Sequence, residues 1–171
     1  MHRFQAAGCL CLLFVVTFIL PVQAQVPTKR FSVFDGEWIS SDGAFGVPAQ
    51  STMKWSAALD GKFSHLNYRI EMQTGDAATT LFEGFAYYQL TEPNQLRAFW
   101  ADNSGDLHPI TAEWDGDALL SNWGVDGKKQ GRTRYELISS DEMAVTDWIK
   151  TEEGWRQFNH GVFQRQPIEN P

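Results

Sequence analysis

The chain has 171 residues, with 14 Lys+Arg against 21 Asp+Glu and a formal net charge of −7. At 43% hydrophobic and 20% charged residues it can bury a core, which excludes a disordered chain and fits one domain. The acidic balance, with no basic cluster beyond Lys128-Lys129 and Arg132/Arg134, argues against nucleic acid or an anionic membrane surface as partner.

The N-terminus reads as a secretory signal peptide. Arg3 supplies a positive start, Leu10 to Leu20 an apolar stretch, Pro21 a break, and Val22-Gln23-Ala24 a small-x-small cleavage pattern. The apolar stretch is too short for a spanning helix, which needs about 20 residues, so no membrane span is expected after cleavage between Ala24 and Gln25. The expected organisation is a signal peptide at 1–24, a lead-in at 25–33, one folded domain at 34–165 and a tail at 166–171. Cleavage removes Arg3 and no acidic residue, taking the net charge from −7 to −8. It also removes both cysteines, Cys9 and Cys11. The mature protein, secreted or periplasmic, then has no disulfide, no thiol nucleophile and no cysteine metal site.

Along the mature chain, Thr28 to Phe34 could form a short helical plug. After it, turn signals recur at short spacing: Asp35-Gly36, Asp42-Gly43, Asp60-Gly61, Gly75-Asp76, Pro93-Asn94, Asp115-Gly116, Asp126-Gly127 and Glu153-Gly154. Between them lie runs rich in aromatic and β-branched residues, expected as strands at 36–41, 51–58, 63–73, 79–90, 95–102, 107–114, 118–123, 130–138, 142–150 and 155–165. Strict alternation points Leu66, Tyr68, Ile70 and Met72 inward, with His65, Asn67, Arg69 and Glu71 in solvent. Met53, Trp55 and Ala57 follow the same rule, as do Thr133, Tyr135 and Leu137. The class is all-β, a single antiparallel up-and-down β-barrel of about ten strands. The run from Leu81 to Leu90 is apolar on both faces, and Phe99 and Trp100 point opposite ways. Some aromatic surface is therefore external, where it could mark a homodimer contact.

Gly36-Glu37-Trp38 opens the first strand and Arg165 ends the last. With these residues the chain resembles the lipocalin-like (calycin) barrels. The resemblance implies that Trp38 closes one barrel end and that Arg165 packs across it, a cation–π contact worth about 0.5–2 kcal/mol. Ala98-Phe99-Trp100-Ala101-Asp102, Ser104-Gly105, Glu113-Trp114-Asp115-Gly116 and Leu119 make the middle of the chain similar to a bacterial family of secreted lipocalin-like proteins with no assigned function. More distantly the chain resembles the nitrobindin-type barrels, which open with Gly-x-Trp-x-Gly-x-Gly and ligate haem through a C-terminal His. Here Ser40 and Asp42 stand at the two later glycines, and His160 lies where that ligand is expected.

The inward parity collects Trp38, Trp55, Tyr68, Tyr88, Trp100, Trp114 and Tyr135. Such a lining either fills the barrel or leaves room for an apolar, planar ligand. Of the mature histidines, His65 is outward, His108 shares a face with Ile110, Ala112 and Trp114, and His160 sits with Phe158 and Val162. No His pair has metal spacing. Asp102 to Asp106 reads as a hairpin turn sooner than a calcium loop. Nucleophile, phosphate-loop and dinucleotide motifs are absent, which weighs against an enzyme without excluding one. Asp147 lies either with Val145 and Ile149 inside or opposite Thr146 and Trp148 outside, and the surface placement is the one expected. The function expected is binding of a small hydrophobic or aromatic molecule, lined by Tyr68, Tyr88, Trp100, His108, Tyr135 and His160. No metal or cofactor is called for. The alternatives are a haem barrel using His160, a barrel enzyme on a small phenolic or terpenoid-like substrate, and a filled structural module.

Overall fold

The computed structural model describes residues 27–74, 77–92 and 95–167. The signal peptide and the Ala24/Gln25 cleavage site lie outside these residues. A 3₁₀ helix at Pro27–Val33 leads into ten strands: β1 (Gly36–Ser40), β2 (Gln50–Ala58), β3 (Phe63–Thr74), β4 (Ala77–Glu92), β5 (Gln95–Asp102), β6 (Leu107–Asp115), β7 (Ala118–Gly124), β8 (Gln130–Leu137), β9 (Glu142–Thr151) and β10 (Gly154–Arg165). Each strand pairs antiparallel with the next, and β1 pairs with β10 to close the barrel. Closure leaves no free sheet edge. The architecture is consistent with a lipocalin-like barrel. Among the described residues no helix is long and apolar enough to cross a membrane.

The alternation of side chains sets the two surfaces. Ser51, Met53 and Trp55 of β2, Leu66 and Ile70 of β3, Ala86 and Tyr88 of β4, and Thr133 and Tyr135 of β8 are buried, and most of their neighbours in sequence are not. Ala57, expected inside, is exposed near the end of β2. The aromatic residues excluded from the lumen gather on the outer wall of β3, β4 and β5. There His65 stacks on Tyr87 at 4.5 Å and Phe85 meets Phe99 at 6.0 Å.

One end of the barrel is plugged. The 3₁₀ helix delivers Phe31 and the following turn delivers Phe34, both buried against the barrel wall. Phe34 stacks on Trp114 at 5.7 Å and approaches Trp55 to 5.3 Å, while Phe31 lies 5.3 Å from Trp114 and 5.6 Å from Tyr88. The β1–β10 register sets Trp38 directly opposite Arg165, and the guanidinium sits over the indole at 4.0 Å. Arg165 also donates to the carbonyls of Ser140 at 2.8 Å, Val33 at 2.7 Å and Asp35. Trp38 Nε1 donates to Phe34 O at 2.7 Å. Carbonyls that the plug could not pair within a strand ladder are thereby satisfied. The C-terminal end is tied in as well. The Gln166 amide donates to Glu37 O at 2.7 Å, which ties this residue to β1.

Candidate functional site

The other end of the lumen is hollow. A cavity of about 720 Å³ lies between the plug and the loops joining β1 to β2, β5 to β6 and β7 to β8. That volume is within the range of small-molecule sites, roughly 300–1,000 Å³. Tyr68, Tyr88, Trp100, His108 and Tyr135 all border it. Phe82, Trp123, Asp147, Arg156, Phe158 and Asn159 border it too.

Two tryptophans form flat walls because the neighbouring strand offers no side chain. The Trp100 ring lies against Gly84, where a Cβ would stand 2.2 Å from the indole. Trp123 lies against Gly131, where a Cβ would stand 1.8 Å away. Glycine is thus required by close approach of a ring. The Trp100 Nε1 donates to Asp102 Oδ2 at 2.8 Å, so its polar handle is used at the rim and its face is left to the cavity. Phe82 extends this wall, parallel to Trp100 at 6.0 Å.

The floor carries phenols held by small hydroxyls. Tyr88 OH is 3.1 Å from Ser121 Oγ, and Tyr68 OH donates to Ser51 Oγ at 3.4 Å. Tyr135 and Tyr88 influence each other's titration across the lumen. Burial pushes Tyr68 and Tyr88 up to about 12, and burial together with its phenol neighbours and Asp147 holds Tyr135 well above the ordinary phenol value. All three are therefore neutral hydrogen-bonding groups near neutral pH.

Asp147 corrects the surface placement expected for it. It pairs across β8–β9 with Thr133, in register with inward Tyr135 and Val145, and its carboxylate faces the cavity. Thr133 Oγ1 donates to Oδ1 at 2.6 Å and Asn159 Nδ2 donates to Oδ2 at 2.8 Å. Trp123 Nε1 in turn donates to Thr133 Oγ1 at 3.3 Å. Burial raises the Asp147 carboxyl, against the lowering effect of the Thr133 and Asn159 hydrogen bonds. A carboxyl with a perturbed proton affinity on the wall of an aromatic lumen makes this cavity the candidate site.

His160 is elsewhere. Its side chain is exposed on the outer face of β10, with Nδ1 2.9 Å from Thr146 Oγ1. The reason is a β-bulge. The β9–β10 register skips between Gln157 and Asn159, so Phe158 is an extra residue. Phe158 and Arg156 border the cavity before the bulge, and Asn159 does so after it. Simple alternation from Phe158 to His160 is broken there, as bulges re-aim the residues that follow.

The rim is charged. Lys129 Nζ binds Asp106 Oδ2 at 2.9 Å, and that bond and charge hold the Asp106 carboxyl below its ordinary value. Burial pushes Asp102 up, but hydrogen bonds from Ser104 and Trp100 outweigh it and hold the group low. His108 packs on Trp123 at 5.3 Å, with Nε2 3.4 Å from Asp106 Oδ2 but in no hydrogen bond. Asp102 caps its own turn through the Ser104 amide at 3.0 Å. No group of three metal-ligating side chains occurs among the described residues.

Trp123 could have been found from the sequence, since it continues the Leu119, Ser121 parity of β7. Asp147 and Asn159 could not be placed from their own strands, because only the pairing with β8 and the bulge fix them. Neither a protein-family model nor a curated protein matches the chain.

Proposed function

We propose that the barrel binds a small, largely apolar and planar molecule in its lumen. The observation that carries this reading is the cavity of about 720 Å³, walled by rings and holding a few convergent polar groups around Asp147. Apolar walls with sparse, placed polar groups are the usual make-up of a ligand site. Trp100, Trp123 and Phe82 offer ring faces, and the phenols and Asp147 fix orientation. With the signal peptide read from the sequence, the protein would work as a secreted or periplasmic carrier, alongside the secreted lipocalin-like proteins it resembles.

The test is native mass spectrometry of the protein isolated from the compartment into which it is exported, compared with the denatured chain. One extra mass, released on denaturation, is the expected result. A bare chain whose tryptophan fluorescence is not saturably quenched by neutral naphthalene derivatives would overturn the reading.

A barrel enzyme is the second reading, and the Asp147 cluster is what favours it. A carboxyl with raised proton affinity, close to neutral phenols, can donate a proton to a bound substrate. Turnover of a phenolic or terpenoid-like substrate that Asp147→Asn abolishes would replace the carrier reading. Haem ligation through His160 finds no support in this geometry, because that imidazole lies outside the barrel wall. A haem titration giving a Soret band that His160→Ala removes would reinstate it.

A further inference from the structure

We propose that the lumen selects organic amines: the Asp147 carboxylate, lacking a cationic partner inside the barrel, is the counter-ion for an ammonium group carried on the apolar ligand. The inference rests on the lumenal binding site proposed above and narrows its ligand class.

Asp147 has no cationic partner among the described residues. Its two oxygens accept from Thr133 and Asn159, both neutral, and no Lys or Arg nitrogen stands within 4.0 Å of it. Nearby polar groups are phenols, kept neutral by their burial. Arg156 borders the cavity at the strand position facing Ile149, two pairs from Asp147 towards the mouth, and Lys129 is engaged by Asp106. A half-buried carboxylate without a counter-charge is costly, because the hydration it has lost is not replaced by a positive group. An ammonium ligand supplies that charge.

The surroundings suit a cation in a second way. Trp100 and Trp123 present indole faces to the cavity, held flat by Gly84 and Gly131. Indole faces attract a desolvated ammonium. An anionic ligand would meet Asp147 with a like charge at the depth of the site. A neutral ligand would leave it without a counter-charge. The protein's net charge of −7 also draws cations towards it.

The test uses the full mature protein and a matched pair of probes, 1-naphthylmethylamine and 1-naphthalenemethanol, titrated by tryptophan fluorescence and calorimetry. The amine should bind about tenfold or more tightly than the alcohol, as expected for a buried charge pair. Asp147→Asn, which removes the charge and keeps one acceptor oxygen for the Thr133 hydroxyl, should remove that preference and bring the two probes to equal affinity. Equal binding of the two probes by the wild-type protein would overturn the amine inference and leave the lumenal site standing. An amine preference that persists in Asp147→Asn would do the same. No saturable binding of either probe would overturn both.

A pH series on the unmodified protein gives a second readout that needs no variant to fold. Amine affinity should fall as pH is lowered through the raised titration range of Asp147, because protonating the carboxyl removes the counter-ion, while the alcohol stays level. The groups facing this carboxyl are Tyr68, Tyr88 and Tyr135, with Arg156 and His108 towards the mouth. The same series in His108→Gln separates the imidazole from the carboxyl. A level amine profile in both proteins would overturn the assignment.

Discussion

The two ends of this barrel are built from the same residue types and put to opposite uses. At the plugged end, aromatic rings are covered by other side chains: Phe34 on Trp114, Phe31 on Tyr88, and Trp38 beneath the Arg165 guanidinium. At the hollow end, Trp100 and Trp123 meet the backbones of Gly84 and Gly131 and border the cavity. Plug carbonyls are bonded by Arg165 and Trp38, whereas polar groups at the open end converge on one carboxylate. The contrast teaches that a ten-strand barrel need not choose between a filled core and a cavity. A segment preceding the first strand fills one half, and that half supplies the stability from which the other half can be left empty.

Breaking the plugged end should cost most. Phe34 is fully buried among Trp55, Trp114 and Tyr135. Phe34→Ala should destabilise by about 3–5 kcal/mol, the range for deleting a buried ring, read as a lower denaturant midpoint. Arg165→Met should cost about 2 kcal/mol or more, by losing the contact over Trp38 and leaving carbonyls of the plug without a donor. Equal midpoints for either variant and the wild type would mean that the plug adds nothing to the fold.

The hollow end should separate binding from stability. In Gly131→Ala the new methyl would overlap the Trp123 ring, which must swing into the lumen. Overpacking of this kind costs about 1–3 kcal/mol, and the displaced indole should occupy the cavity and abolish ligand binding. Wild-type affinity in this variant would show that Trp123 does not wall the site.

Asp147 sets a pH dependence with a definite sign. Its folded-state carboxyl is raised above the unfolded value near 3.9. The folded state therefore holds the proton longer, and stability falls as pH rises from about 4 through the raised value, then levels off. Asp147→Asn removes this loss, so its stability relative to wild type should grow across that interval, by at most about 1.4 kcal/mol per pH unit. Asp102 and Asp106, held low, act in the opposite sense below pH about 4, and Asp35, raised by burial, acts in the same sense as Asp147 but cancels in the difference between variant and wild type. A constant difference between variant and wild type across it would mean that the carboxyl is hydrated like a surface group.

How much of this the chain discloses follows the same division. The ten strands are legible because runs rich in aromatic and β-branched residues, most of them alternating, lie between turn residues, and β5, at Gln95–Asp102, begins and ends where its pattern does. Inward placement of Tyr68, Tyr88 and Tyr135 needs only local parity. Asp147 is different. Its own strand is apolar on both faces, and its direction is decided by the β8 partner Thr133, a contact between distant residues. His160 fails for a related reason: one extra residue at Phe158 reverses every side chain after it, and no composition signal marks a bulge. The short helical plug at Thr28 to Phe34 is legible as such, but not its partners, since ring stacking against Trp55 and Trp114 exists only once the barrel closes.

The smallest effect should come from the loop over the mouth. Phe45 and Gly46 both have positive φ, 52° and 77°, and form the centre of a tight turn closed by Ala44 and Val47. The turn holds Phe45 with its ring 69% exposed, 6.2 Å from Phe82 at the edge of the cavity. Little apolar area is buried there, so Phe45→Ala should change stability by no more than about 0.5 kcal/mol. Phe45→Gly, which also relieves the positive φ, should be neutral or slightly stabilising. Both should speed release of a lumenal ligand, because the ring stands in the exit path, and stopped-flow displacement measures that directly. Unchanged release rates would place the exit between other loops, and the β5–β6 turn at Asn103 to Asp106 would then be the segment to vary.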